Sequence, residues 1–565
     1  MEILLIQPPV EDFYQTSQRT EPIGLAYLAA SLKENGFSTK ILDCQGGSKK
    51  YAVELPSSLQ YLKEFYIHGN LSPFKLFGHF YHFGFSFEEI ENEIKKCGAH
   101  IFGISTMFST YYGEALKVAG IIKKADRKNI VIMGGVHASS IPFELLKNPY
   151  VDYVIIGEGE KKLPLLLAAI KNEKLSSISS IDGIGYKVDG QIKINPKVNW
   201  IDNLDLLPFP AREMLHTESY KIGRTRSTKI FTSRGCPFPC TFCSVKIAMG
   251  NSLRTRSPQK IIEEIMYCRK ELGIEAFDFE DDNLGYDHEV FEQVLDLITE
   301  NIGERKLRLY AMNGIFPAVL SGPILKKMKR AGFESINLTF ASKDETIRTK
   351  LGRIDKVKDF LNALNLAYKS DLKVTAYVFL GVPGQTIKGM VEDLLFLAEI
   401  PCLIGASIFY PVIGTPLFNE YSEKGLFDSS TDLLRLRSPA FPIETEEFSR
   451  KDIFTLFYLA RLLNFSKLLE NTDIKKIVSA INLEVNSPYL FSEKKLNEYE
   501  VGVFLLNLFF KKRKIFGIRF TKKSDKHFQY EIYRENCSEK VIDIFIAMIK
   551  EKRTLFPWIL NFENS

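Results

Sequence analysis

The 565-residue chain is too long for one ordinary hydrophobic core, so two or three domains are expected. Hydrophobic residues at 45% and charged residues at 25% give a globular composition and exclude a disordered one. A net charge of +5, from 74 basic and 69 acidic side chains, gives no argument for a nucleic-acid partner, and none is expected.

The N-terminus, Met-Glu-Ile-Leu-Leu-Ile-Gln-Pro-Pro, has no basic n-region and no small-residue cleavage site, so it reads as a first strand and not as a signal peptide. Short apolar runs then alternate with helical patterns. The strands read are Ile3–Gln7, Thr39–Asp43, Ile101–Ser105, Ile130–Gly134 and Asp152–Ile156, with helices at Ile23–Asn35, Phe87–Lys96, Tyr111–Ala125 and Pro142–Lys147. This predicts an α/β domain with a doubly wound, Rossmann-like parallel sheet over residues 1–175. The stretch from Gln45 to Ser86 interrupts it with Phe74, Phe77, Phe80, Tyr81, Phe83 and Phe85, and with His79 and His82 between them. It reads either as an apolar insertion packed on the sheet or as a lid over a large flat ligand.

Residues 176–222 form a hairpin and linker: Asp189-Gly190 suits a tight turn between two short strands, and a Pro-bearing stretch, Asn203 to Pro210, follows. From 223 to 430 the alternation resumes with strands at Lys229–Thr232, Ala276–Glu280, Arg308–Met312, Ser335–Phe340, Val374–Leu380 and Ala406–Tyr410. Ser257-Pro258 marks a capped helix start. Six such units make an open, partial (β/α)6 barrel, since a closed eight-unit barrel needs about 250 residues. Residues 431–565 read as a mainly helical C-terminal region. No window approaches the roughly 18 apolar residues of a membrane span. The run Val501 to Phe510 is short and meets Lys511, Lys512, Arg513 and Lys514. It reads as a core helix or strand with a solvated basic end, or as an interfacial amphipathic helix making a peripheral membrane contact.

Of the eight cysteines, Cys44, Cys97, Cys268, Cys402 and Cys537 are scattered, which points to a reducing compartment; a cytoplasmic, anaerobic or reducing setting is expected. The other three stand in Gly235-Cys236-Pro237-Phe238-Pro239-Cys240-Thr241-Phe242-Cys243, just after a barrel strand, where barrel enzymes place their active sites. Structural zinc takes four ligands. Three thiolates on a four-iron cluster leave one iron open to chelate a small molecule.

The CxxxCxφC spacing, with aromatic Phe242 before the last cysteine, resembles the radical S-adenosylmethionine (SAM) superfamily. The resemblance implies a four-iron four-sulfur cluster on Cys236, Cys240 and Cys243, whose open iron binds the amino and carboxylate groups of SAM. One-electron reduction, by a donor such as ferredoxin or flavodoxin, then gives a 5′-deoxyadenosyl radical. It carries over to Phe242 beside the cluster and to Glu280, Asp281 and Asp282 as candidates for the SAM amino group, although the usual Gly-Gly-Glu is absent. Ser342 resembles a ribose or carboxylate contact, Gly381, Pro383 and Gly384 the adenine and ribose segment, and Tyr410 a border of the adenine.

Three strand ends of the first domain are rich in glycine or hydroxyls: Asp43-Cys44-Gln45-Gly46-Gly47, Ser105-Thr106-Met107 and Gly134-Gly135-Val136-His137. Gly157-Glu158-Gly159-Glu160 closes the last strand. Parallel sheets bind ligands there. Set before a radical SAM core, this domain is similar to the cobalamin-binding domain of cobalamin-dependent (class B type) radical SAM enzymes. The resemblance marks Asp43, Gln45, Ser105, Thr106, Gly134, Gly135, His137, Gly157 and Glu158 as cobalamin-site candidates. Gln45 stands where the DxHxxG motif of other cobalamin proteins has its cobalt-ligating histidine, so no lower histidine ligand is expected.

The resemblance implies a C-methyltransferase acting on an unactivated carbon. SAM methylates reduced cobalamin, and the radical from a second SAM activates the substrate, which takes methyl from methylcobalamin. The alternative is ring closure, rearrangement or oxidation without methyl transfer, as in anaerobic porphyrin cyclases. Methylthiolation of transfer RNA would call for three further cluster-binding cysteines in an N-terminal domain, where only Cys44 and Cys97 precede the triad, and a non-catalytic cobalamin or redox sensor is the last rival. The substrate class left open is lipid, tetrapyrrole, peptide or another natural-product intermediate.

Overall fold

A computed structural model describes residues 2–14, 21–47, 49–197, 199–427, 433–469, 482–483, 488–492, 495–523 and 528–552. The N-terminal sheet has seven strands, in the order Gln191–Ile194, Ile184–Val188, Tyr153–Ile155, Ile130–Gly134, Ile101–Ser105, Glu2–Gln7 and Ser38–Asp43. The last five are parallel, and the hairpin joins them antiparallel through Tyr153↔Tyr186. Asp189 and Gly190 both take positive φ, as the tight turn requires.

Ile3, Leu4, Leu5 and Ile6 are all buried, because helices cover both faces of a parallel sheet. Leu25, Ala29 and Leu32 pack with Leu163 and Leu166 on one face; Ile90, Ile94, Val118 and Ile122 pack on the other. The chain order reverses between Glu2–Gln7 and Ile101–Ser105, which makes the carboxyl ends of these strands the binding crevice of such a sheet.

The aromatic insertion is packed, and not mainly on that sheet. Lys50–Val53 and Phe80–Phe83 form a three-stranded antiparallel sheet with Val10–Asp12. Its rings meet the C-terminal helix Arg450–Ser466: Phe74 lies 5.6 Å from Tyr458 and 5.2 Å from Phe465, and Phe65 lies 4.9 Å from Phe454.

The second half carries six parallel strands: Thr225–Ile230, Ala276–Phe279, Arg308–Tyr310, Ser335–Ala341, Lys373–Leu380 and Leu403–Ile408. Single bridges, Leu309↔Phe333 and Ile315↔Leu338, join the third strand to the fourth. Among the described residues no pairing joins the first to the sixth, so the barrel is open. Ser257 caps the first barrel helix by accepting from Lys260 N, with Pro258 at its first turn.

The C-terminal region has three described long helices, Arg450–Ser466, Glu498–Lys512 and Glu539–Glu551. It also holds a four-stranded antiparallel sheet, which the sequence reading did not predict. Val503, Phe504, Leu505, Leu508 and Phe509 are buried within the protein. The run is therefore a core helix with a basic end, which corrects the interfacial-helix reading. Among the described residues no helix is long and apolar enough to cross a membrane.

Candidate functional site

The cysteine loop leaves the first barrel strand through a strained corner. Gly235 has φ +82°, and a Cβ there would sit on Ser252 O, so only glycine fits. Asp281 fixes the approach by accepting from Thr232 N (3.1 Å), Thr232 Oγ1 (2.6 Å) and Ser233 Oγ (2.6 Å). Asp282 Oδ2 accepts from Gly235 N at 2.9 Å. On the far side Thr241 donates to Leu351 O (3.1 Å) and Lys350 O (2.7 Å). Phe242 meets Phe379 edge-on at 5.2 Å, and Phe238 lies 4.4 Å from Phe316.

Cys236, Cys240 and Cys243 are half-buried. Burial raises all three thiols above their usual range, Cys243 to about 12; Arg353 and Lys246 oppose the rise at Cys240. A metal would therefore be needed to hold them as thiolates. Among the described residues no three Cys, His, Asp or Glu side chains converge as one metal ion requires. A four-iron cluster takes one thiolate at each of three irons and does not need that convergence. Soft donors on one loop fit a cluster, and Asn283 adds an N–H to Cys236 Sγ at 3.8 Å, of the kind that tunes cluster potentials. Asn283 stands directly after the acidic run Glu280-Asp281-Asp282, and its amide carries no motif that marks this role.

The three acidic candidates separate. Glu280 pairs with Lys229 at 3.0 Å. Asp281 is buried and spent on Thr232 and Ser233. Asp282 is exposed, yet the protein surrounding it pushes its carboxyl up to about 6, chiefly by desolvation. Ser342 is buried: its Oγ donates to Asp393 Oδ2 (2.6 Å) and accepts from Asp344 N (3.1 Å), which caps the helix Glu345–Lys350. Gly381 and Gly384 have positive φ, and Pro383 O accepts from Lys350 Nζ at 2.9 Å. Tyr410 is half-buried, and the charges of Asp12 and Arg437 act on it.

At the carboxyl edge of the N-terminal sheet, Gly135 has φ +114° and a Cβ there would come within 2.7 Å of Thr106 O. Thr106 Oγ1 donates to Gly134 O at 2.9 Å, next to Ser105 at its strand end. Beyond them Met107 and Phe108 are 46% and 54% exposed. Two large apolar side chains open at the switch point beside a glycine corner are suited to a flat apolar ligand, so this edge fits a corrin.

Gln45 and His137 do not face that opening. Gln45 is buried, with Nε2 donating to Pro8 O at 2.7 Å and Oε1 enclosed. Asp43, which accepts from Tyr220 OH and Gln45 N, is buried beside it. His137 Nδ1 lies 2.9 Å from Ser109 Oγ, and its Nε2 is buried without a partner. Desolvation lowers its pKa to about 4, so the ring is neutral. Gly157 N donates to Ser139 Oγ at 2.8 Å. Glu158 turns away from the edge: it accepts from Arg254 (2.8 Å), Arg234 (3.0 Å) and Ile201 N (2.9 Å).

The two halves meet face to face. The short helix Val136–Ser140 packs against Val245–Ala248, which follows Cys243. Arg234 also reaches Glu160 at 2.7 Å. Arg437, after the barrel, donates to Glu11 O (2.8 Å) and Thr110 O (3.2 Å) and pairs with Asp12 at 3.3 Å. None of these arginines carries a sequence signal, since their partners lie far away in the chain.

Comparison with known proteins agrees with this geometry. The model of the Radical SAM superfamily matches residues 230–397, and that of the B12 binding domain matches residues 78–167. The chain is 27% identical over 403 residues to an uncharacterized methyltransferase, PH0819, of Pyrococcus horikoshii, covering 71% of this chain and 78% of that one. It is 27% identical over 481 residues to the cytidylyl-2-hydroxyethylphosphonate methyltransferase of Streptomyces wedmorensis, covering 77% and 84%. The solved radical SAM methyltransferase TsrM from Kitasatospora setae, with cobalamin and a [4Fe-4S] cluster bound, superposes with a TM-score of 0.58 at 16% identity, covering 75% of each chain, which shows a shared fold. The chain thus joins a B12 binding domain to a radical SAM domain, the combination whose cofactors are a four-iron four-sulfur cluster, SAM and cobalamin.

Proposed function

We propose that this enzyme is a C-methyltransferase acting on an unactivated carbon of an organic substrate. Cys236, Cys240 and Cys243 would ligate the cluster, and Asp282 would meet the SAM amino group. The strand ends around Ser105, Thr106, Gly134, Gly135 and Gly157 would hold cobalamin. When bound, these groups supply a 5′-deoxyadenosyl radical and a methyl carrier. The observation that carries the reading is the packing of Val136–Ser140 on Val245–Ala248, which sets the glycine corner of one domain against the cysteine loop of the other.

The chain's own part is positioning. Asp281 pins Thr232 and Ser233, and through them the cysteine loop. Phe238, Phe242, Phe316 and Phe379 wall the loop with hydrocarbon, which keeps water from a reactive site. Arg437 ties the Asp12 strand and the loop at Thr110 to the segment after the barrel. The reading keeps domain boundaries near 175, 222 and 430, and a small reduced carrier such as ferredoxin or flavodoxin would supply electrons.

The test is anaerobic reconstitution with iron, sulfide and hydroxocobalamin, followed by SAM and a strong reductant. S-adenosylhomocysteine formed together with 5′-deoxyadenosine supports methyl transfer. 5′-Deoxyadenosine without S-adenosylhomocysteine moves the enzyme to ring or oxidative chemistry. Full cluster in Cys240→Ala would sink the ligand assignment.

A further inference from the structure

We infer that Lys197 binds a phosphodiester at the carboxyl edge of the N-terminal sheet, and that this is the phosphodiester of cobalamin's nucleotide arm. The inference rests on the cobalamin reading above and assigns a residue that the sequence motifs do not mark.

Lys197 follows the edge hairpin and folds back over the sheet. A Cβ on Gly157 would come within 2.7 Å of its Nζ. Gly157 N donates to Ser139 Oγ, which donates to Gly135 O at 2.8 Å. The ammonium thus stands above the glycine corner shared by Ile130–Gly134 and Tyr153–Ile155. Its ammonium lies over the face of the Trp200 ring, 2.7 Å from the centroid, and donates to Ile247 O at 3.2 Å, in the helix that follows Cys243.

The nearby carboxylates are engaged by other cations. Glu158 pairs with Arg254 and Arg234, Glu160 with Arg234 at 2.7 Å, and Asp182 with Lys162 at 3.6 Å. Burial first, and then the like charge of Lys162, lowers the Lys197 pKa to about 8. A half-desolvated cation over a glycine-lined corner gains from an anion that brings its own acceptor oxygens. The corrin side chains of cobalamin are neutral amides. Its nucleotide arm carries the single phosphodiester, and cobinamide lacks that arm.

That difference supplies the experiment. The cluster-loaded chain, Lys197→Met and Lys197→Arg are titrated with hydroxocobalamin and with diaquacobinamide, and binding is followed by corrin absorbance after rapid filtration. Lys197→Met should weaken hydroxocobalamin roughly tenfold and leave cobinamide unchanged. Lys197→Arg should retain most of the affinity. Equal loss for both corrinoids, or loss for neither, overturns the inference. A native chain that binds neither corrinoid overturns the cobalamin reading itself.

Discussion

Arg234 Nη1 lies 3.0 Å from Glu158 Oε1, and this buried pair ties the residue two before Cys236 to the end of the last parallel strand of the cobalamin-type domain. Arg254 shares the same carboxylate at 2.8 Å. Neutralising Glu158 leaves two buried guanidinium groups short of charge, and breaking a buried pair costs about 3–5 kcal/mol. Glu158→Gln should therefore lower the unfolding midpoint by several degrees while cobalamin affinity stays within about twofold, since the carboxylate faces the arginines. The measurement is thermal unfolding alongside a cobalamin titration. An unchanged midpoint with lost cobalamin would return Glu158 to the cofactor site.

The neighbouring acids at the second barrel strand should behave in opposite ways. Asp281→Asn replaces an acceptor that serves Thr232 and Ser233 together, so it should cost about 1–3 kcal/mol and lower iron content per chain. Asp282→Asn keeps an acceptor for Gly235 N and should leave the midpoint nearly unchanged while weakening SAM binding. Equilibrium dialysis with SAM, beside iron analysis, separates the two. Equal effects of both substitutions would refute the division.

Much of this was legible because periodicity reports burial. The run Ile3–Ile6 is apolar on both faces and could only be a covered parallel strand. The cysteine spacing located the loop to the residue. What the sequence hid is whatever depends on distant partners. Glu158 and Asp281 each look like a ligand at a strand end, but Arg234 lies 76 residues beyond Glu158 and Thr232 lies 49 residues before Asp281. The C-terminal sheet escaped because Phe516–Lys523 is mostly exposed beyond Ile518 and shows no clean alternation. Helix Glu498–Lys512 lacks a sharp amphipathic stripe because Val501 to Phe509 is buried throughout.

Asp393, which holds Ser342 Oγ at 2.6 Å, gives the fold a pH-dependent element. Desolvation raises its carboxyl to about 7 from an ordinary 3.8, against hydrogen bonds from Ser342 Oγ and Lys343 N. The folded protein therefore holds a proton that the unfolded chain has released between about pH 4 and 7. That contribution is fully present below pH 4 and is lost as pH rises through 7. Asp393→Asn imitates the protonated form. The variant should match the native chain near pH 4, gain on it progressively between about pH 4 and 7, and keep a constant advantage above pH 7, read as the difference in unfolding midpoint across that range. A difference constant over the whole range would mean that Asp393 is charged throughout.

The last prediction concerns cobalt. His137 stands two residues after Gly135, and its proximity to the glycine corner makes it the obvious protein donor. Its placement argues otherwise: Nδ1 is held by Ser109, and Nε2 is enclosed and does not open toward the strand ends. Reaching a metal outside would mean abandoning the Ser109 bond and the packing on Tyr112, 5.3 Å away. Gln45 offers no substitute, since its amide is tied to Pro8 O and an amide is a weak cobalt ligand beside imidazole. If cobalamin binds at these strand ends, its cobalt should thus receive no histidine from the protein. The test is electron paramagnetic resonance of the cobalt(II) protein loaded with cobinamide, which removes the cofactor's own base as a nitrogen source. The spectrum should lack nitrogen superhyperfine splitting, and His137→Ala should leave it unchanged. Splitting that disappears in His137→Ala would show that the ring swings out to bind cobalt.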